Sequence, residues 1–259
     1  MHIEKLDDEN KKGKTLIVFG ESGVGKTSLL GTLPENETLI LDVEGGTVVL
    51  RGKKMGVVRI KEDLSNLKEV FDEIVNTNVI DFKYIALDSA TELEKFMQVR
   101  LSQKSSNDGM PSLHDYGVVS FKMRDYMRRL RDLRDKGITV IVTALEFPLE
   151  LVNNENETRT RTYPMMAQKL APEIAGLFDI VAHMEVSSKA GHEGERFLRL
   201  DGTDSVLAKN RYGHARFATA DLTKLFADID AHIAPKPEPK PEVPAKGESK
   251  PKAKKGGEL

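Results

Sequence analysis

A glycine-rich segment near the start of the chain has the spacing of a phosphate-binding loop, or P-loop. Residues 20–27 read GESGVGKT and fit the pattern G-x-x-x-x-G-K-[ST], between an apolar run and the start of a predicted helix. In such loops backbone N–H groups face phosphate oxygens, the lysine, here Lys26, places its charge at the β- and γ-phosphates, and the hydroxyl of Thr27 binds Mg²⁺. The expected nucleotide contacts are Gly20, Glu21, Ser22, Gly23, Val24, Gly25, Lys26, Thr27 and Ser28.

An aspartate at the end of another apolar run would complete the metal site. Asp88 closes the segment YIALD, which is typical of a buried strand. A carboxylate at the C-terminal end of such a strand suits a second magnesium ligand beside Thr27. The sequence leaves open that Asp88 caps the helix that follows, and the two roles are compatible.

The elements that must position these residues alternate along the chain. Short β-branched runs and amphipathic stretches predict a mostly parallel central sheet flanked by helices, with antiparallel strands after residue 146, where two polar interruptions are typical of hairpin loops. The predicted strands are 14–20, 37–44, 56–60, 82–89 and 137–145. The predicted helices are 63–76, 91–104, 113–136, which Gly137 ends, and 171–178.

A signalling GTPase shares the P-loop pattern, but the remaining motifs disfavour it. The guanine-specificity motif N-K-x-D is absent from the chain. Asp42 to Gly45 match an aspartate-x-x-glycine switch, but they follow Thr27 too closely to leave room for a first switch.

Two further segments carry a resemblance to a known family. The segment LDVEGG, residues 41–46, ends the second predicted strand with an acid pair, and LAKNRYGHARF, residues 207–217, contains two cations separated by one residue. With the P-loop and the aspartate strand, these segments resemble RecA-like ATPases in order over about residues 13–217. Within that group the chain is similar to phage-encoded nucleotide-binding proteins of the recombinase or single-strand annealing type. The resemblance implies an α/β, RecA-like P-loop NTPase fold, and ATP with Mg²⁺ as cofactors.

The resemblance also implies roles for three side chains. Glu44 would polarise the attacking water, and Lys209 and Arg211 would reach the γ-phosphate held by a neighbouring subunit, which requires a homo-oligomer, either a ring or a filament. Alternation on a strand puts Lys209 and Arg211 on one side. The residues themselves leave plainer alternatives open: Asp42 and Glu44 as solvated or capping residues before a glycine turn, and the two cations as an exposed basic strand end. Thr143 and Glu146, at the end of the predicted strand 137–145, are candidates by position for sensing the γ-phosphate.

The resemblance further implies single-stranded DNA as the macromolecular partner, because in RecA-like proteins it runs along loops that face the filament axis. Of two candidate loops, 102–115 and 153–164, the second carries Arg159, Arg161 and Tyr163, which suit contacts with a phosphate backbone and stacking on bases. A solvated hairpin tip without a ligand is the alternative. The arginines of the predicted helix 113–136 favour a solvated, ion-paired face instead, because acids stand four residues away from them.

Composition sets the domain boundaries and excludes several classes of protein. Residues 1–12 are predicted to be a flexible N-terminal segment, 13–233 the ATPase domain, and 234–259 a disordered tail rich in proline and lysine. The tail could attract DNA or a single-strand-binding or replication protein, and a solubilising linker is the alternative. No apolar run is long enough to span a membrane and no cysteine is present, so we expect a cytoplasmic protein, in a host cytoplasm if phage-encoded, without disulfides or thiolate zinc sites.

These observations favour a Mg²⁺-dependent ATPase that binds single-stranded DNA and assists phage DNA recombination, annealing or replication. One alternative is a nucleotide-dependent oligomeric switch or assembly ATPase without DNA activity. A P-loop small-molecule kinase is another alternative, but an arginine-rich lid that such an enzyme requires is not identifiable in the sequence.

Overall fold

The computed structural model describes residues 12–76, 81–103, 110–152, 158–167, 170–213 and 215–234. Residues 1–11 of the predicted N-terminal segment (1–12) and residues 235–259 of the predicted tail (234–259) lie outside the described residues, as do 104–109 and 153–157 of the two candidate DNA loops. Ten strands are present there: β1 Thr15–Gly20, β2 Thr38–Asp42, β3 Gly56–Arg59, β4 Tyr84–Asp88, β5 Thr139–Val152, β6 Thr158–Pro164, β7 Ile180–Val186, β8 Arg196–Arg199, β9 Lys209–Asn210 and β10 Phe217–Thr219.

Six α-helices lie among the described residues: α1 Lys26–Leu30, α2 Leu67–Asn76, α3 Ala90–Ser102, α4 Leu113–Asp132, α5 Leu170–Leu177 and α6 Leu222–Ile233. Gly137 adopts the left-handed conformation, with φ of 80°, after a short 3₁₀ turn that follows α4, so the predicted stop is confirmed. Helix α2 begins later than predicted. The carboxylate of Asp63 accepts the N–H of Ser65 and forms a local turn there instead of a helical one.

The sheet is parallel at its centre and antiparallel at one edge, as predicted. Its parallel strands lie in the order β7-β1-β5-β4-β2-β3, while β8 and β9 pair antiparallel with β7, and β10 with β8. Strands β1, β2 and the last four residues of β4 are fully buried, which explains their continuous apolar runs.

Helices cover both faces of the sheet and enclose two apolar layers. One layer lies beneath α2, α3, α4 and α5 and contains Phe19, Phe71 and Phe178, each with no exposed surface. The other lies beneath α1 and α6 and contains Leu30 and Ile229. Within the described part of the chain, no helix is both long and apolar enough to cross a membrane.

Strand β5 is longer than the sequence predicted. It continues beyond residue 145 to Val152 and pairs antiparallel with β6, from Glu146 opposite Pro164 to Val152 opposite Thr158. The β5–β6 hairpin therefore projects beyond the carboxyl edge of the parallel strands, the same edge at which the P-loop lies.

Candidate nucleotide-binding site

The P-loop connects β1 to α1 in a conformation that depends on its glycines. Gly23 and Gly25 have φ values of 80° and 106°, a region that residues with a Cβ rarely adopt. A Cβ on Gly20 would lie 2.7 Å from the carbonyl oxygen of Met184 on β7. The glycine spacing recognised in the sequence thus serves both the turn itself and the close approach of β7.

The side chain of Lys26 reaches back across the P-loop to its first two residues. Its Nζ donates to the carbonyl oxygens of Gly20, at 2.9 Å, and Glu21, at 2.8 Å. Burial lowers the pKa of Lys26, and the nearby carboxylates of Glu44, Asp88 and Glu146 oppose that change. The ammonium group is therefore held at the loop's concave side, with three acids around it.

Thr27 and Asp88 come together as the sequence predicted. The hydroxyl of Thr27 donates to Oδ2 of Asp88 at 2.8 Å, and the hydroxyl of Thr143 on β5 donates to Oδ1 at 2.5 Å. Burial raises the pKa of Asp88, and these two hydrogen bonds oppose the rise. Because β5 lies between β1 and β4, Thr143 bridges the aspartate strand and the strand that leads into the P-loop. Asp88 is not the N-cap of α3, since Ser89 fills that position.

The oxygen ligands and the space around them fit Mg²⁺. A hydroxyl and a carboxylate are hard donors of the kind that Mg²⁺ uses together with phosphate oxygens. Gly46 lies against the pair, and a Cβ there would come within 3.2 Å of Thr27 Oγ1 and 3.8 Å of Asp88 Oδ2. Thr27 and Asp88 would hold the ion, whose contribution is to neutralise charge on the β- and γ-phosphates.

Glu44 stands in the turn that follows β2, on the same edge of the sheet. Asp42, which is buried, shapes this turn by accepting the N–H of Gly45 and the hydroxyl of Thr47, each at 2.7 Å. The alternative role predicted for these acids, a capping residue before a glycine turn, therefore applies to Asp42. Partial desolvation and the charge of Asp88 raise the pKa of Glu44, while Lys26 opposes the rise.

An unanticipated polar network continues from Glu146 along the neighbouring strands. Nε2 of His183 lies 2.6 Å from Glu146, and Nδ1 lies 3.0 Å from Glu185, which also pairs with Arg199. A cavity of about 480 Å³ opens between this network and the P-loop. The sequence offered no signal for His183, because its partners are set by the pairing of β5, β1 and β7 and by the β7–β8 hairpin.

Lys209 and Arg211 lie at the opposite end of the sheet. Strand β9 pairs with the first residues of β7, so both cations are near the amino ends of the parallel strands. Lys209 Nζ donates to the carbonyl of Ala175, and Arg211 donates to the carbonyl of Gly176 and to buried Asp179. Both reach the C-terminal end of α5, which confirms that they point to one side. Their predicted role across a subunit interface stays a prediction.

The three residues predicted to bind DNA share one side of β6 but differ in exposure. Arg159 is exposed and lies 3.5 Å from Asp204. Arg161 is half-buried, and its Nε is a buried donor without an acceptor among the described residues. Tyr163 is only 6% exposed and packs in the main apolar layer, so the prediction that its ring stacks on a base does not fit the structure.

Comparison with known proteins agrees with this geometry. Residues 12–212 match the AAA_24 family, described as an AAA domain. A search of curated proteins finds no significant match. The match covers the P-loop, the strands that carry Glu44 and Asp88, and the segment with Lys209 and Arg211. The chain therefore belongs to this AAA-type family of P-loop ATPases.

Proposed function

We propose that the protein is a Mg²⁺-dependent, RecA-like ATPase that binds single-stranded DNA and assists phage DNA recombination, annealing or replication. The observation that carries the proposal is the convergence of the P-loop, the Thr27–Asp88 pair and Glu44 on one edge of the sheet. These groups are the ones that hydrolysis of a nucleoside triphosphate requires: a phosphate cradle, a metal site and a carboxylate that orients water.

The chemistry follows from which side chains face the phosphates. Lys26 would exchange its carbonyl acceptors, Gly20 and Glu21, for phosphate oxygens, since a charged acceptor forms the stronger hydrogen bond. Glu44 has a raised pKa, which makes it a better acceptor for the proton of an attacking water than an exposed glutamate. Thr143 holds Asp88 in place through its hydroxyl.

The position of Lys209 and Arg211 supports a role in trans. Strand β1 separates the two ends of the sheet by six residues, about 20 Å at the rise of a strand, so these cations cannot reach the phosphates on their own P-loop. A head-to-tail contact between subunits would bring them to a neighbour's site, and contacts of this type build rings or filaments. Arg211 remains about half exposed despite its contact with Asp179.

The β5–β6 hairpin supports the DNA-binding part of the proposal. It carries Arg159 and Arg161 and extends from the strand whose Thr143 contacts Asp88. A change at the metal site could therefore be transmitted along one continuous strand to the hairpin. Salt-sensitive contacts with phosphates are the expected mode of binding.

The DNA-binding part can be tested by fluorescence anisotropy with a labelled oligothymidylate, in the presence of Mg²⁺ and a non-hydrolysable ATP analogue. Arg159→Ala is expected to weaken binding several-fold and to make it less dependent on salt, because one phosphate contact is lost. Arg216→Ala is the matched control, since Arg216 is an exposed arginine paired with Asp201 elsewhere on the surface. Equal binding by both variants would argue against the hairpin as the DNA contact.

The burial of Tyr163 favours a second candidate function. Because the ring of Tyr163 is buried, it does not offer the stacking surface that is typical of proteins that bind single strands. A nucleotide-dependent oligomeric switch or assembly ATPase without DNA activity would use the same phosphate chemistry. Hydrolysis indifferent to DNA, with assembly that depends on ATP, would identify it.

A further inference from the structure

Arg196 reaches the P-loop from the side opposite the metal site. It is the first residue of β8, and its Nε donates to the carbonyl oxygen of Val24 at 2.7 Å, across 172 residues of chain. The β7–β8 hairpin that carries it is joined to β1 through β7. A cation thus contacts the loop on the β7 side, away from the strands that carry Asp88 and Glu44.

The loop has room for this side chain because residue 25 is a glycine. A Cβ on Gly25 would lie 3.0 Å from Nε and 3.3 Å from Cδ of Arg196. The φ of 106° at Gly25 already favours glycine. The arginine and the turn therefore fit together directly at the entry to α1.

The rest of the guanidinium group has no protein partner in the described part of the chain. No carboxylate there lies within ion-pair distance of Arg196, and Nε is the only one of its nitrogens with a hydrogen-bond acceptor. Arg199, on the same strand, is paired with Glu185. A guanidinium has five N–H donors, so Arg196 keeps its Nη atoms available for an anionic acceptor.

The carboxylates that act on the charge of Lys26 and the guanidinium group of Arg196 belong to strands on opposite sides of β1. The carboxylates that oppose the lowering of the pKa of Lys26 are Glu44, which follows β2, Asp88, which ends β4, and Glu146, which lies within β5. These strands lie on one side of β1, where the metal and the γ-phosphate belong, and β7 and β8 lie on the other. A triphosphate with its γ end at Asp88 leaves its α- and β-phosphates towards Arg196.

We propose that Arg196 is a phosphate-contacting residue that acts in cis, with its Nη atoms on the α- or β-phosphate of the nucleotide bound to its own P-loop. The inference rests on the proposed nucleotide-binding function and adds a second positive group to Lys26. An arginine suits this position because its fork can hold the Val24 carbonyl and a phosphate oxygen at the same time. Occupancy of the site would then order the β7–β8 hairpin as well as the loop.

The test measures the affinity of the full chain for fluorescent ADP and ATP analogues with Mg²⁺. Arg196→Ala removes both the charge and the contact with Val24, whereas Arg196→Gln keeps a donor for the Val24 carbonyl and removes the charge. We expect both variants to bind ADP and ATP about tenfold or more weakly, since a hydrogen bond to a charged group is lost. Arg216→Ala, the surface control, is expected to bind as the wild type does.

The alternative role, a brace that only shapes the loop, gives a different pattern. A brace would be restored by Arg196→Gln, so wild-type affinity in that variant would overturn the proposal, as would unchanged affinity in Arg196→Ala. Melting temperatures without nucleotide are measured in parallel, and the proposal expects Arg196→Gln to melt like the wild type. If the wild type itself binds no nucleotide, the proposed function falls together with this inference. If the wild type binds and hydrolyses ATP while the Arg196 variants match it, only this inference falls.

Discussion

At the scale of single residues, the carboxylates near the P-loop are separated by their environments. Asp42 is buried and held by the turn that it shapes, and Asp88 is buried and held by Thr27 and Thr143. Glu44 lies in an exposed turn. A side-chain hydrogen bond with Ser89 is one of the smaller influences on its pKa. Of these three acids, Glu44 is the one free to face a water molecule.

Replacement of Glu44 by glutamine tests this assignment. The amide keeps the shape but cannot accept a proton, so we expect Glu44→Gln to bind ATP normally and to hydrolyse it about a hundredfold more slowly or worse. Steady-state hydrolysis and nucleotide titration measure the two effects separately. Glu92→Gln is the matched control, because Glu92 lies nearby but pairs with Lys95 on the surface of α3. Wild-type turnover in Glu44→Gln would remove Glu44 from the mechanism.

Gly46 offers a test of the metal site that leaves its ligands in place. Gly46→Ala would put a Cβ 3.2 Å from Thr27 Oγ1, so we expect the Mg²⁺ concentration needed for nucleotide binding to rise about tenfold, or ~1.4 kcal/mol. Gly117→Ala is the control, since a Cβ on Gly117 meets nothing within 4 Å and alanine favours the helix. An unchanged Mg²⁺ requirement in Gly46→Ala would place the metal elsewhere.

At the scale of elements, the sequence predicted the features that depend on residues close together in the chain. Periodicity and turn chemistry predict the apolar spacing of α4, the glycine that ends the 3₁₀ turn after it, and the buried strands β1, β2 and β4. The extension of β5, the Glu146–His183 pair and the reach of Arg196 to Val24 depend on strand order and register. Strand order and register are fixed by tertiary packing, so short sequence motifs do not predict them.

The buried Asp179 shows how the amino end of the sheet is organised. It accepts hydrogen bonds from Thr15 at 2.8 Å and Arg134 at 3.0 Å, and it also pairs with Arg211. Removing its charge leaves two guanidinium groups beside a neutral side chain, so we expect Asp179→Asn to lower the free energy of unfolding by about 3 kcal/mol. Urea denaturation measures this change.

A surface aspartate provides the comparison for Asp179. Asp201 pairs with Arg216 where both side chains are largely exposed, so Asp201→Asn is expected to change stability by no more than about 0.5 kcal/mol. Similar losses in the two variants would show that burial does not strengthen the Asp179 interactions.

Lys209 connects the pH of the solution to the predicted contact between subunits. Burial and the charge of Arg211 lower its pKa to about 8, against the opposing charge of Asp179. Its positive charge is therefore complete well below pH 8 and is lost as the pH rises through that value. If the charge acts on a neighbour's phosphates, the ATPase rate is expected to fall between pH 7 and 9. Lys209→Arg, which stays charged, is expected to lack this fall. Identical pH profiles for the two proteins would contradict the role.

At the scale of the whole molecule, the sheet has two chemically different ends. The carboxyl end carries the P-loop, the Thr27–Asp88 pair and the β5–β6 hairpin. The amino end carries Lys209 and Arg211. The sequence predicted both groups of residues but could not show their separation, which follows from the antiparallel pairing of β9 with the start of β7. In a single chain, the P-loop and the two cations therefore lie at opposite ends of the sheet.

Mixing two inactive variants tests whether the ends of different subunits meet. Lys26→Ala removes the lysine of the P-loop, and Arg211→Ala removes the arginine proposed to act on a neighbour. A mixture of the two variants can therefore form interfaces that pair an intact P-loop with an intact Arg211. We expect partial recovery of ATP hydrolysis in that mixture. Lys26→Ala mixed with the double variant Lys26→Ala/Arg211→Ala is the control and should stay inactive. Absence of recovery at every mixing ratio would argue against a role in trans.

The central claim, an ATPase that responds to single-stranded DNA, is tested most directly by the steady-state rate of ATP hydrolysis with and without single-stranded DNA, at low and at moderate salt. The account predicts a several-fold stimulation by DNA that weakens as salt rises, and no hydrolysis by Lys26→Ala under any of these conditions. A rate that DNA leaves unchanged at both salt concentrations would contradict the claim and favour the assembly switch.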